Sequence, residues 1–147
     1  MRFLDDGLIK IGVASQDGEA AIREAGNLLL NEKLIEKRYI DAMIDGYKEH
    51  GPYFVLAPGI AIPHARPEDG VNEASVSLLQ LREPVTFGHE TNDPVRIVFG
   101  LGATSSDEHL GLLTKLTKLL NNRENVDALI HADSVDAVQQ LLEKEVG

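Results

Sequence analysis

In GIAIPHARPEDGV, Gly59 to Val71, a histidine directly follows a proline at the end of a short β-branched run. The residues before His64 are apolar and those after it are polar, so its ring falls where a buried element gives way to solvent. Pro63 fixes its own backbone angle and donates no hydrogen bond, which ends the extended run and holds the next residue in a defined direction. Arg66, two residues on, offers a planar set of donors for an anion held at the ring. The plain alternative is a loop histidine beside a solvated arginine.

His109, in SSDEHLGLLTKL, lies 45 residues later. It falls in the first turn or so of a helix that follows a dense apolar strand. In a sheet protein the ends of neighbouring strands and the helix starts after them share one rim, so the two rings can meet there. A helix start also carries unpaired backbone N–H groups, which favour a nearby anion. The alternative for His109 is a histidine fitting among polar capping residues. His50 sits at a helix end, where interaction with free carbonyls is the expected role, and His131 has no neighbour that suggests one.

Neutral imidazole has a free lone pair and titrates near neutrality, so it can attack phosphorus and leave again under the same conditions. Phosphoryl transfer needs in-line positioning and compensation of charge on the equatorial oxygens, which a second histidine, an arginine and backbone amides supply. No Walker-type glycine loop and no aspartate pair for magnesium is visible, which points away from a nucleotide donor and towards a phosphorylated protein. A zinc site built from His64, His89 and His109 is the rival chemistry. Its spacings of 25 and 20 residues match no compact ligand motif, and there is no HExxH pair, so the expectation is no metal and no cofactor.

The elements that must position these residues follow from periodicity. Leu8 to Val13 reads as a strand. Asp17 starts a helix with Ala21, Ile22, Ala25, Leu28 and Leu29 at helical spacing, and a second helix runs from about Ile35 to Gly51-Pro52 with Ile40, Met43, Ile44 and Tyr47 on one face. Tyr53 to Leu56 is a candidate strand, Ile60 to Ile62 a short extended piece, and Ala74 to Leu81 and Val95 to Ala103 are strands. The last of these has the continuous apolar character of a strand buried on both faces. Glu83 to Pro94 reads as a loop or hairpin connection carrying His89. Ser105 and Glu108 have capping-box spacing ahead of the stripe Leu112, Leu113, Leu116, Leu119 and Leu120, and Val126 to His131 and a helix from Ser134 complete the chain. This order predicts an α/β fold with a single mixed β-sheet flanked by helices.

At 147 residues the chain suits one domain, residues 1–147. Zero cysteines exclude disulfides, thiolate metal sites and thiol nucleophiles, leaving imidazole and oxygen. Lys and Arg number 14 against 24 Asp and Glu, and acidic residues outnumber basic ones in every third of the chain, which argues against binding nucleic acid. No stretch approaches the roughly 20 apolar residues of a membrane-spanning helix, and two aspartates interrupt the N-terminal segment where a signal peptide would stay apolar. A cytoplasmic protein is expected.

GIAIPHARP and DEHLGLLTKL resemble the IIA component of bacterial sugar phosphotransferase systems, in the mannitol-fructose-nitrogen superfamily, and GPYFVLAPGIAIPHARPEDGV is most similar to its ascorbate-type branch. The resemblance covers nearly the whole chain. It implies a five-stranded mixed sheet of the mannitol-type enzyme IIA fold. It matches His64 to the phosphorylated histidine and His109 to the supporting one. It further implies a phosphoryl group received from the histidine-containing phosphocarrier protein and passed to a cysteine of a IIB component, serving a membrane IIC component indirectly. The attacking nitrogen is then Nε2, with Nδ1 protonated against an acceptor that the sequence does not identify. Mannitol- and nitrogen-type relatives carry an arginine about 16 residues before the active histidine; here that position is Lys48, so Lys48 or Arg66 is left to position the phosphate. The same histidine and fold also suit a free-standing regulatory module whose phosphorylation state controls a partner protein.

Overall fold

The computed structural model describes residues 1–145. Five strands form one mixed sheet: β1 (Arg2–Phe3), β2 (Ile9–Val13), β3 (Ile60–Ala61), β4 (Ser75–Val85) and β5 (Val95–Gly102). Five helices cover it: α1 (Gly18–Asn31), α2 (Lys37–His50), α3 (Ser106–Leu120), α4 (Arg123–His131) and α5 (Val135–Glu145). β1 and β2 lie one after the other along one edge of β4, both parallel to it, β5 runs antiparallel to β4, and β3 closes the other edge parallel to β5.

Alternation along β4 divides the core into two layers. Leu79 and Leu81 face α1 and α2, joined by Ile22, Leu29, Tyr39 and Met43. Val76 and Leu78 face α3 to α5, joined by Ile97, Phe99, Leu101, Leu112 and Leu116. Each fully buried side chain of this size contributes about 1.5–3 kcal/mol of transfer free energy. α1 crosses so closely that a side chain at Gly100 would lie 2.6 Å from Ser77 Oγ, while the Ser77 hydroxyl donates to Ala25 O at 2.8 Å.

The helix limits follow local chemistry. The Asp17 carboxylate accepts from Ala20 N–H at 2.9 Å and caps α1. α2 ends at Gly51, whose φ of 77° suits glycine. Ser105 Oγ accepts from Glu108 N–H at 3.2 Å, but the Glu108 carboxylate turns to the Thr104 N–H and hydroxyl instead of closing the box on Ser105.

Two sequence expectations are corrected, and one strand was not anticipated. Tyr53 to Leu56 is a turn, with Val55 N–H donating to Pro52 O at 3.1 Å; Phe54 and Val55 are apolar because they enter the core, and their backbone needs no ladder. β4 runs on to Val85, which pairs with Val95, so the charged stretch from Glu83 begins inside the strand. Arg2–Phe3 forms an unexpected strand, too short for a periodic pattern.

Gln80 is a buried polar tie from β4 to β2 and to the end of α4. Its amide donates to Leu129 O at 2.8 Å and Ala132 O at 2.7 Å, and its carbonyl accepts from Gly12 N–H at 3.0 Å. Gln80→Leu keeps the volume and strands these groups. A loss of about 2 kcal/mol in stability is expected, measured as a lower urea midpoint with an unchanged slope.

Candidate functional site

β3 and β5 are parallel neighbours, so the chain leaving each reaches the same rim of the sheet. His64 follows β3 by three residues, and His109 stands in the first turn of the helix that follows β5. Their ring centroids are 5.0 Å apart with the planes at 72°. Both rings are half-buried.

His64 Nδ1 lies 2.8 Å from Ile62 O. A carbonyl oxygen only accepts, so in the neutral ring Nδ1 carries the proton and Nε2 the free lone pair. The acceptor that the sequence could not name is thus a main-chain group two residues back, set in place by Ile62 N–H donating to Phe54 O at 2.9 Å. Tyr53 adds an edge-on ring 6.3 Å from that of His64.

Two hollows flank the pair. One, of about 220 Å³, is lined by Pro67, Ser105, Ser106, His109, Leu110 and Leu113. The other, of about 530 Å³, lies between His64, Tyr53, Arg66 and the α2 face that bears Asp45, Glu49 and His50. Arg66 is exposed and faces Asp69, with Nη2 3.3 Å from Oδ1. The Asp69 carboxylate is held below its ordinary range first by accepting the Arg66 backbone N–H and, less, by the guanidinium.

Lys48 is not brought to this site. Its Nζ lies 3.2 Å from Glu19 Oε1, and it is absent from the walls of either hollow. Neighbouring helix residues point about 100° apart, so while Glu49 faces the hollow Lys48 turns towards α1. His50, which the sequence reading set aside, does line the hollow, as does Tyr53; the repeat of Ala42, Asp45 and Glu49 along α2 was the available signal. His89 is a local acceptor, its Nδ1 taking the N–H groups of Thr91 and Asn92 at 3.2 and 3.0 Å. The ring of His131 pairs its Nδ1 with Asp127 O at 2.8 Å. Among the described residues no three His, Asp or Glu side chains converge to hold a metal ion.

Burial, and secondarily the neighbouring His64 ring, hold His109 below the ordinary histidine value. His109 is therefore mostly neutral at pH 7. With a depressed folded-state value, the unfolded chain takes up this proton first as pH falls below about 6.5, so the ring withdraws stability on the acid side and none above it. In an NMR titration the His109 ring is expected to titrate below the ordinary value and to move upward in His64→Ala. A midpoint above the ordinary value in the wild type would contradict the packing.

The sequence and the fold have counterparts among known proteins. Residues 2–145 match the family described as phosphoenolpyruvate-dependent sugar phosphotransferase system, EIIA 2. The ascorbate-specific PTS system EIIA component of Shigella boydii is 35% identical over 138 residues, covering 92% of this chain and 89% of that protein. The crystal structure of IIA mannitol from Escherichia coli is 36% identical with a TM-score of 0.82, over 95% of this chain and 98% of that one. A complex of enzyme IIA mannitol with phosphorylated enzyme IIB mannitol, also from Escherichia coli, gives 34% identity and a TM-score of 0.85 over 97% and 99%. The mixed sheet and its helices are the mannitol-type EIIA fold, and the chain belongs to the EIIA 2 family of phosphoenolpyruvate-dependent sugar phosphotransferase system components.

Proposed function

We propose that the chain is the phosphoryl relay of a cytoplasmic sugar uptake pathway, accepting a phosphoryl group on His64 Nε2 from the phosphohistidine of a carrier protein and passing it to a cysteine of a IIB component, which serves a membrane IIC component. The observation that carries this reading is the pairing of Ile62 O with His64 Nδ1 at 2.8 Å, which leaves Nε2 as the nucleophile beside His109.

On acceptance the donor's N–P bond breaks and the Nε2–P bond forms, while the Nδ1 proton stays against Ile62 O. On delivery the Nε2–P bond breaks, an S–P bond forms with the IIB thiolate, and the His64 ring leaves as neutral imidazole. A phosphoryl dianion beside His109 favours the protonated ring, reversing the sign of the electrostatic influence that His64 exerts before transfer. Arg66, which lines the same hollow as His64, supplies a guanidinium once it exchanges Asp69 for phosphate oxygens. No nucleotide or metal enters either step as written.

Ascorbate, or a sugar acid like it, is the solute this reading favours. Support comes from the ascorbate-specific relative and from the segment Gly51 to Val71. The mannitol enzyme is as similar in overall identity, so delivery to a IIB partner is the deciding measurement.

Incubation with phosphorylated carrier is expected to add one acid-labile phosphoryl group to the wild type and none to His64→Ala. His109→Ala should accept phosphate but deliver it about a hundred-fold more slowly. Arg66→Ala should slow transfer about ten-fold, and Lys48→Ala should stay within about two-fold of the wild type, given its pairing with Glu19. Phosphorylated wild type that delivers to an ascorbate-type IIB supports uptake. Acceptance without delivery to any IIB would assign the chain to regulation instead.

A further inference from the structure

The hydroxyl of Tyr39 sits in the ladder beneath the two histidines. β3 and β5 pair in register with Ile60 opposite Ile97 and Ala61 opposite Val98. Carried forward three residues, that register sets His64 opposite Leu101. In a parallel ladder the residue on one strand both donates to and accepts from its neighbour, through the residues on either side of its partner. Half of this rung is present, Leu101 N–H donating to Pro63 O at 3.2 Å. The other half, Ala65 N–H to Leu101 O, is interrupted. The Tyr39 hydroxyl accepts from Ala65 N–H at 2.9 Å and donates to Leu101 O at 2.7 Å.

The inserted oxygen forces the chain at Ala65 away from β5 while keeping every backbone group satisfied. His64 is the residue at which the two strands part. Ile60 and Ile62 face the α3 layer, and alternation puts His64 on that side, where His109 stands. Leu101 in turn lies two residues before Ala103, from which the chain enters the cap of α3. One hydroxyl therefore joins the two segments that carry the histidines.

We propose that Tyr39 is a positioning residue for phosphoryl transfer, its hydroxyl setting the spacing of His64 and His109 by standing between Ala65 N–H and Leu101 O. The proposal rests on the relay reading above. Tyr39 is fully buried and belongs to α2, which supplies neither histidine, so it acts only through the backbone. Burial pushes its hydroxyl up to about 12, so it remains a neutral group able to donate and accept at any physiological pH.

Tyr39→Phe keeps the ring and removes the inserted oxygen. Tyr47→Phe is the control, since Tyr47 lies on the same helix and its hydroxyl donates to Phe87 O at 2.6 Å, away from the histidines. Melting temperatures establish that each variant is folded, and the assays are repeated in sucrose, which favours the folded state, so that a marginal variant is also compared folded. Transfer from phosphorylated carrier onto His64 is expected to fall ten-fold or more in Tyr39→Phe and to stay within two-fold in Tyr47→Phe, with the His109 titration midpoint displaced only in the former. A Tyr39→Phe rate within two-fold of the wild type, or equal losses in both variants, would overturn the proposal. Wild type that accepts no phosphoryl group would instead overturn the relay reading. The His109 titration would then decide the positioning role alone, a displacement confined to Tyr39→Phe supporting it and an unmoved midpoint overturning it.

Discussion

The parallel pairing of β3 with β5 is the constraint on which the site depends. It spans two residue pairs, yet it fixes which end of β3 meets which end of β5. An antiparallel contact between the same residues would send the chain after Ala61 towards the opposite rim, with His64 and His109 at opposite ends of the sheet. The pairing is held from both sides of the core. Ala61 belongs to the α1 and α2 layer and Ile60 to the α3 layer, so displacing β3 would open both. Gly59 extends the attachment at its start, its carbonyl accepting from Arg96 and Ile97 N–H at 2.9 and 3.1 Å.

The electrostatic setting is unusual for a group proposed to hold a dianion. The chain carries a net charge of −10, and the wall of the larger hollow bears Asp45, Glu49 and Asp69. No lysine lines either hollow, and the arginine that does is engaged by a carboxylate. Charge compensation is therefore conditional: His109 is mostly neutral until an anion arrives beside it, and Arg66 is bound to Asp69 until something competes. Under the proposed relay such a site would not attract free phosphate strongly, and its cationic character would develop with the phosphoryl group itself. The same acidity favours approach by a basic protein surface over a small anion.

Much of this was legible in the sequence. The helical stripes of α1, α2 and α3, the alternation of β4 and the dense apolar run of β5 are long enough for burial to impose a clear period. The rim that joins His64 to His109 followed from strand ends and helix starts alone. What stayed hidden depends on register. Ile62 O as the partner of Nδ1 requires the backbone direction after Pro63, and nothing in the spacing along α2 singles out Tyr39 until the ladder shows where its oxygen lies. Tyr53 to Leu56 misled because aromatic and β-branched composition reports burial, and here burial comes without extension. Lys48, one of the two residues left to position a phosphate, stands with Glu19 in this structure because separation along the chain from His64 says nothing of helical phase, and one residue of phase separates the hollow from Glu19.

The choice of acceptor for the Nδ1 proton bears on how a relay can run forward. A carboxylate there would raise the basicity of the ring and stabilise positive charge on it, strengthening the bond to phosphorus once formed. Ile62 O is a neutral carbonyl. It fixes the tautomer with the lone pair on Nε2, the atom the proposed relay uses for attack, while offering little compensation for the charge that the ring would acquire on phosphorylation. Under the proposed relay the phosphorylated ring would remain a good leaving group, since departure of the phosphoryl group would return it to neutral imidazole with its proton already in place. A histidine meant to store phosphate would gain from a carboxylate partner; one meant to pass it on gains from orientation without added basicity, and a main-chain carbonyl held by the Ile62 N–H to Phe54 bond supplies that.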